Sequence, residues 1–110
     1  MKNLNKKIKE YTKLQYEIMS YADCEIKEAV ANNNGKIEFD TNDDEYMSIP
    51  CNGNMNAVIH SLEMIDGRVN VVLDDTWLPL DYMPADQVID LYDMVFNSAL
   101  PRIENTQNNQ

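Results

Sequence analysis

The sequence contains few of the residues that usually carry chemistry. One histidine, two cysteines and three glycines occur in 110 residues. His60 has no second histidine with which to form a metal site, and the spacing of Cys24 and Cys51 matches no zinc or redox motif. Each glycine is accounted for by a predicted turn or helix cap, so no phosphate-binding loop can be built. These scarcities predict a non-enzymatic protein without a cofactor or a metal ion.

Long apolar runs are also missing. The longest uncharged apolar run is far below the ~20 residues needed to span a bilayer. The segment "MKNLNKKIKEYTK" is basic but lacks the apolar core of a signal peptide, so we expect a cytoplasmic protein. Because 44% of the residues are hydrophobic, residues 1–100 are sufficient for a single domain. The polar residues 101–110 are predicted to form a flexible tail.

Positive charge is scarce outside the first 13 residues. Five lysines and one glutamate give residues 1–13 a net charge of +4. Residues 14–110 carry four basic and eighteen acidic side chains, a net charge of −14. Such a surface repels phosphate backbones, so we expect no direct contact with nucleic acid and no membrane binding. A protein partner with a basic or apolar surface is the better electrostatic match.

Residues 3–33 carry an apolar stripe at three- and four-residue steps, which is typical of an amphipathic helix. The stripe consists of Leu4, Ile8, Tyr11, Leu14, Ile18, Tyr21, Ala22, Ile26, Ala29 and Val30. The pattern predicts either one long helix or two helices that meet near Ser20, where Asp23 three residues later approximates a capping box. The residues "NNNG" end the helix, with Gly35 suited to its C-terminal cap.

The period then changes to two. "KIEFD" and "EYMSI" predict two strands, and Asp66–Gly67 between apolar runs predicts a type I′ hairpin. That turn pairs Ile65 with Arg68, and counting outward points His60 into the core. A second hairpin at Asn52–Gly53 would place Met47 opposite Val58; a longer loop is the alternative, because Pro50 lies close.

The last predicted helix follows "WLPLDYM". Pro84 suits its first turn, and Pro101 is expected to end it. The fold class is therefore α+β: a long N-terminal helix or helix pair, a four-stranded antiparallel meander, and a C-terminal helix packed on one sheet face. The other face is expected to meet water.

The C-terminal half resembles a known group of proteins. Residues 55–99, with Asp66–Gly67 between strands and then "WLPLDYMPADQVIDLY", are similar to small proteins of gut Bacteroidales and of their phages and mobile elements. The resemblance implies a strand–strand–helix ending and an origin in a phage or mobile element. It implies no function.

An acidic stripe is the main candidate site. Asp86, Asp90 and Asp93 are spaced four and three residues apart on the last helix, on the side away from its apolar stripe. Like charges at this spacing destabilise a helix by roughly 0.2–0.5 kcal/mol per pair. The stripe is interpreted as a solvated face or as a docking face for a basic partner. It could also mimic a phosphate backbone if neighbouring carboxylates extend it; the candidates are Asp74, Asp75 and Asp81.

Three other features have two interpretations each. The apolar cluster around Trp77 and Tyr82 either joins the last strand to the last helix or forms a recognition patch rimmed by Asp81. "DTNDDEY" is either a connecting turn or a weak divalent-cation site, since Glu45 replaces the glycine that a calcium loop needs. His60 is predicted to be a hydrogen-bonded core residue rather than a catalytic one.

These features together predict a small acidic protein that binds other proteins. The expected partner-binding residues are Asp81, Asp86, Asp90, Asp93, Trp77 and Tyr82. A homodimer built on the N-terminal helix is one version of this hypothesis. The alternative function is an inhibitor that mimics nucleic acid and occupies a DNA-handling or defence enzyme.

Overall fold

A computed structural model describes residues 2–50 and 55–108. The first element is a single helix, α1 (Lys2–Asn32), which passes through Ser20 without a break. The one-helix interpretation is therefore confirmed, and the helix pair is wrong. The helix ends as predicted: Gly35, at a φ of 83°, donates its N–H to the carbonyl of Val30 at 2.9 Å, which satisfies an otherwise orphaned helix-end acceptor.

Four strands form the main antiparallel sheet. They are β1 (Lys36–Glu38), β4 (Ser61–Ile65), β5 (Arg68–Val72) and β6 (Trp77–Pro79), in the spatial order β1-β4-β5-β6. The predicted α+β class, with a long N-terminal helix, a four-stranded antiparallel sheet and a packed C-terminal helix, is confirmed. The strand β6 of this sheet was not predicted, because its sequence "WLP" is too short and too rich in proline to show an alternating pattern.

Two further strands, β2 (Ser48–Pro50) and β3 (Asn56–Val58), form a separate antiparallel ribbon. The expectation that "EYMSI" joins the main sheet is wrong. The predicted register is also wrong by one residue, since Val58 pairs with Ser48 rather than with Met47. This register agrees with the longer loop; the predicted Asn52–Gly53 turn lies outside the described residues.

The hairpin between β4 and β5 has the predicted geometry. Ile65 pairs with Arg68 and Met64 with Val69. Asp66 and Gly67 have φ angles of 53° and 80°, as a type I′ turn requires at both central positions. The dipeptide therefore determined this register from local chemistry alone.

Gly67→Ala is expected to lower the free energy of unfolding by about 1–2 kcal/mol, because a Cβ is strained in the left-handed region. Open space surrounds the position where a Cβ would stand, so the loss would come from the backbone and not from a clash. Chemical denaturation measures it. Asp66→Asn is the control and should be nearly neutral, since Asn tolerates this conformation; equal losses for the two variants would contradict the explanation.

His60 was predicted to point into the core, but in the structure it does not. Its N–H donates to the Val72 carbonyl at 2.9 Å, although Ser61 is already the partner of Val72 in the ladder. His60 and Ser61 thus both lie opposite Val72, which is the two-against-one arrangement of a β-bulge. Beyond the bulge the alternation is reversed: Ile59 is fully buried and His60 is exposed.

The C-terminal helical segment is longer than predicted. It consists of α2 (Ala85–Met94), a π-helical turn (Val95–Ala99) and α3 (Leu100–Asn108). The expected end at Pro101 is wrong, and residues 101–108 of the predicted flexible tail are helical. Proline lacks an N–H and collides with the carbonyl four residues earlier in a regular helix. The carbonyl four residues before Pro101 is that of Asn97, which lies within the wider π turn, and this turn accommodates the proline ring.

The core lies between the helices and one face of the main sheet. Fully buried members of the core come from α1, the sheet and the C-terminal helical segment, and they include Ile26, Val30, Ile37, Leu62, Val71, Leu91 and Val95. The opposite sheet face carries Lys36, Glu63 and Trp77, but Ser61 and Asn70 on it are buried, so it meets water only in part. Within the described residues, none of the helices combines the length and apolar character needed to cross a bilayer.

Candidate partner-binding surfaces

The acidic stripe of α2 is in solvent. Asp86, Asp90 and Asp93 are all exposed, while Val88 and Leu91 of the same helix are buried. Asn97, one turn further, donates its side-chain amide to Asp93. The predicted division of this helix into an apolar and an acidic side is therefore correct.

An acidic groove lies beside this stripe. It has a volume of about 340 Å³. Its walls are Asp44, Tyr46, Met47, Asp90, Asp93, Met94 and Ser98. Three carboxylates thus share a groove with a tyrosine and two methionines, and no lysine or arginine is among the described residues that line it. We call this set of residues the acidic groove.

The acidic groove could not be read from the sequence. Asp90 and Asp93 come from α2, whereas Asp44 and Tyr46 precede β2 and are more than 40 residues away in the chain. Asp44 was considered only as part of a divalent-cation loop. In the structure, Asp43 donates its N–H to the Asp40 carbonyl at 3.1 Å, which makes this segment a connecting turn and turns Asp44 outward.

The other predicted site residues lie on a different surface. Asp81 accepts a hydrogen bond from Arg68 at 3.0 Å, and the bond to Asp81, with Tyr82 close by, raises the pKa of the Arg68 guanidinium. Trp77 and Tyr82 are 58% and 69% exposed. The predicted cluster therefore divides: Leu80 is buried in the joint, while the Trp and Tyr rings face solvent.

About the first half of α1 extends away from the core. Every residue from Asn3 to Ile18 except Gln15 is exposed, and we call residues 3–18 the arm. The apolar stripe continues along it without a partner: Leu4, Ile8, Tyr11, Leu14 and Ile18 are between 43% and 63% exposed. Only the later members, from Ala22 onward, enter the core.

A cavity of about 150 Å³ lies where the arm meets the rest of the molecule. It is lined by Met19, Ser20, Asp23, Leu80, Asp81 and Val88. Burial raises the pKa of the Asp23 carboxyl, and the nearby Asp81 charge raises it further, outweighing Lys27. Two neighbouring carboxylates, Asp23 and Asp81, therefore stand at the base of the arm.

One buried ion pair was missed entirely. Arg102 donates its Nε to Glu45 Oε2 at 2.6 Å and its Nη2 to Glu45 Oε1 at 2.8 Å. The same Nη2 donates to the Glu38 carbonyl at 2.7 Å, and the Asp40 N–H donates to Glu45 at 3.0 Å. Burial by itself would raise the pKa of Glu45, but the bonds from Arg102 and from the Asp40 N–H outweigh it and lower that pKa. This pair fastens α3 to the loop after β1.

His60 forms a pair with Asp74 on the surface, so it has an acid partner that the predicted core position did not anticipate. Neither side chain lines the acidic groove or the cavity at the base of the arm. Among residues 2–50 and 55–108, no three His, Cys, Asp or Glu side chains are close enough together to hold a metal ion. Comparisons of the chain with protein-family models, curated proteins and solved structures give no match.

Proposed function

We propose that this protein is a non-enzymatic interaction protein that binds a partner protein by taking up a basic side chain of that partner in the acidic groove. The observation that carries the proposal is the lining: three carboxylates around tyrosine and methionine, with no basic residue to neutralise them. A lysine or arginine can lay its apolar stem along such side chains and place its charge against carboxylates. Tyr46 is 59% exposed, so its ring face is accessible for stacking with a guanidinium.

Arginine suits the groove better than lysine. Its planar fork donates several hydrogen bonds and can engage two carboxylates at once, and Asp90 and Asp93 lie one turn apart on α2. The partner's surface is therefore expected to carry arginine beside apolar residues. The net charge of −14 in residues 14–110 attracts such a basic surface and repels phosphate backbones.

The triple variant Asp44→Asn, Asp90→Asn and Asp93→Asn tests the proposal. Each charge-assisted hydrogen bond contributes on the order of 1.5 kcal/mol, so the variant should reduce binding of an arginine-containing partner at least about tenfold. The measurement is quantitative capture from the native cell together with titration by a short peptide carrying one arginine. In the titration, wild-type protein should show chemical-shift changes at Tyr46 and Met47.

The matched control is Asp43→Asn, Asp66→Asn and Asp75→Asn. These three aspartates are also exposed and none of them lines the groove, so both triples remove the same charge. Full binding by the control and loss by the groove variant would support the proposal. Equal loss in both would refute it and would indicate that total charge is what the partner recognises.

That second outcome is what the nucleic-acid-mimicking alternative predicts. Mimicry acts through many carboxylates at once and is steeply sensitive to salt. Two of the three carboxylates expected to extend the stripe are paired, Asp74 with His60 and Asp81 with Arg68. The Arg68 guanidinium offsets the charge of Asp81 and so lowers the free negative charge available for mimicry; the interaction protein therefore remains the proposal.

A further inference from the structure

One row of side chains on the arm, which we call the seam, has the spacing needed to pack against a second helix. Leu4, Ile8, Tyr11, Gln15 and Ile18 follow one another at alternating steps of four and three residues, which is the spacing of a coiled-coil core. Gln15 is the polar member, and its amide donates to the Tyr11 hydroxyl at 3.1 Å. A single polar residue at such a seam is a recognised device for specifying one register and one partner number.

A helix in this situation needs a partner. Isolated helices of this length are marginal in water, and most helical stability in proteins comes from packing of the apolar face. The arm has that face but packs on no element of the described chain along Asn3–Ile18. At roughly 100 Å² for each half-exposed large side chain, two such stripes remove on the order of 1,000 Å² from water, which is the lower limit for a specific interface.

We propose that the occupant of this seam is the arm of a second copy of the chain, running antiparallel, with the lysine-rich end of each arm beside the acidic residues 14–110 of the other copy. The inference does not depend on the proposed function, because the acidic groove and the arm share no residue.

Charge favours the antiparallel direction. Residues 1–13 carry +4, and the acidic residues of α1 other than Glu10 lie after them, at Glu17, Asp23, Glu25 and Glu28. A parallel pair would place ten lysines side by side. An antiparallel pair with Tyr11 near the two-fold axis places residues 1–5 of one arm next to residues 17–21 of the other, and places Lys6 opposite Tyr16, beside Glu17.

Geometry favours the same direction. The stripe that faces solvent on the arm is the one that faces the core further along, since Ala22, Ile26 and Ala29 are buried. In a parallel pair, the second helix beyond Ile18 would have to occupy the space taken by the first copy's own sheet and α2. In an antiparallel pair, the two cores lie at opposite ends of the paired arms and do not compete for that space.

The first test measures the mass of the protein in solution and the effect of two tyrosine substitutions on the dimer dissociation constant. At about 100 µM chain, above the micromolar range expected for an interface of this size, sedimentation equilibrium should give twice the 12.7 kDa of one chain. Tyr11→Gln should raise the dimer dissociation constant at least about tenfold, because the axis brings both copies of Tyr11 together. Tyr16→Gln is the matched control: Tyr16 is 66% exposed against 63% for Tyr11 but lies off the seam, and its change should be less than about twofold.

The second test is direction. With Cys51→Ser, a spin label on the exposed Cys24 reports one distance per dimer. Cys24 lies 13 residues beyond Tyr11, so at 1.5 Å per residue the two labels are about 40 Å apart in the antiparallel pair. In a parallel pair, with helix axes 8–10 Å apart, the labels would be within about 20 Å.

The dependence of dimerisation on ionic strength is an independent test of the direction in which the two arms pair. Raising ionic strength should weaken an antiparallel dimer, whose charges attract, and would strengthen a parallel one, whose lysines repel. A monomeric mass at about 100 µM, equal effects of Tyr11→Gln and Tyr16→Gln, or a short distance between labels would each overturn the proposal.

Discussion

Ile26→Ala is expected to lower the free energy of unfolding by about 3–4 kcal/mol, within the 2–5 kcal/mol typical of removing a large aliphatic side chain from a packed core. Ile26 is fully buried in the half of α1 that packs against α2 and the sheet. The loss combines the missing transfer free energy of the side chain with the cavity left behind. Chemical denaturation at low protein concentration, where the chain is monomeric, measures it.

Ile8→Ala is the matched control on the same helix. Ile8 is 52% exposed, and alanine is the better helix former, so the monomer should lose less than about 0.5 kcal/mol. The same substitution at two positions of one helix thus separates the core half from the arm. If Ile8→Ala were as costly as Ile26→Ala in the monomer, the arm would have to be packed against its own chain.

Arg102→Ala is expected to lower the free energy of unfolding by about 2–4 kcal/mol. Removing one partner of a buried ion pair typically costs 3–5 kcal/mol because the remaining charge is left without compensation. The value is reduced here because the Arg102 side chain is 38% exposed, although that of Glu45 is only 4% exposed. The denaturation midpoint of the variant, compared with that of the wild type, measures the effect.

The other arginine provides the control. Arg68 also bonds an aspartate, but the side chains of Arg68 and Asp81 are 55% and 58% exposed. Surface pairs are screened by solvent and contribute little, so Arg68→Ala should leave the midpoint nearly unchanged. Equal destabilisation by Arg68→Ala and Arg102→Ala would show that burial is not the cause.

The pH dependence of the Arg102 variant follows from Glu45. The pKa of Glu45 is lowered in the folded chain, so its stabilising contribution is fully present above the unfolded pKa of about 4.3. That contribution is lost as the pH falls through the folded pKa. The difference in unfolding free energy between wild type and Arg102→Ala should therefore be constant from about pH 8 to 5.5 and should shrink below about pH 4. A difference that grew toward acid pH would contradict this assignment.

Local signals in the sequence predicted the elements whose cause is local. The type I′ turn at Asp66–Gly67 follows from two residues that tolerate positive φ, and the end of α1 at Gly35 follows from the same freedom. The exposed stripe of Asp86, Asp90 and Asp93 was correct because helical periodicity alone separates it from Val88 and Leu91. Periodicity was equally correct about the stripe on α1, but it could not tell which part of that stripe is buried.

Errors occurred where a distant part of the chain decides the outcome. A one-residue bulge opposite Val72 turned His60 outward, and no residue type marks such a bulge in advance. Pro101 was expected to end the last helix, yet the helix continues through a π turn to place Arg102 on Glu45, 57 residues away in the chain. The acidic groove likewise joins Asp44 to Asp90 and Asp93, which only folding brings together.

The sequence by itself determined the α+β class, the acidic character, the hairpin register and the polarity of each helix face, because these depend on neighbours within a turn or two. Tertiary structure alone decided that Glu45 is buried and paired, that three carboxylates share one groove, and that the arm's apolar stripe meets water. The physical reason is that side-chain burial depends on what packs across from a residue, and for the arm no described part of the chain lies there.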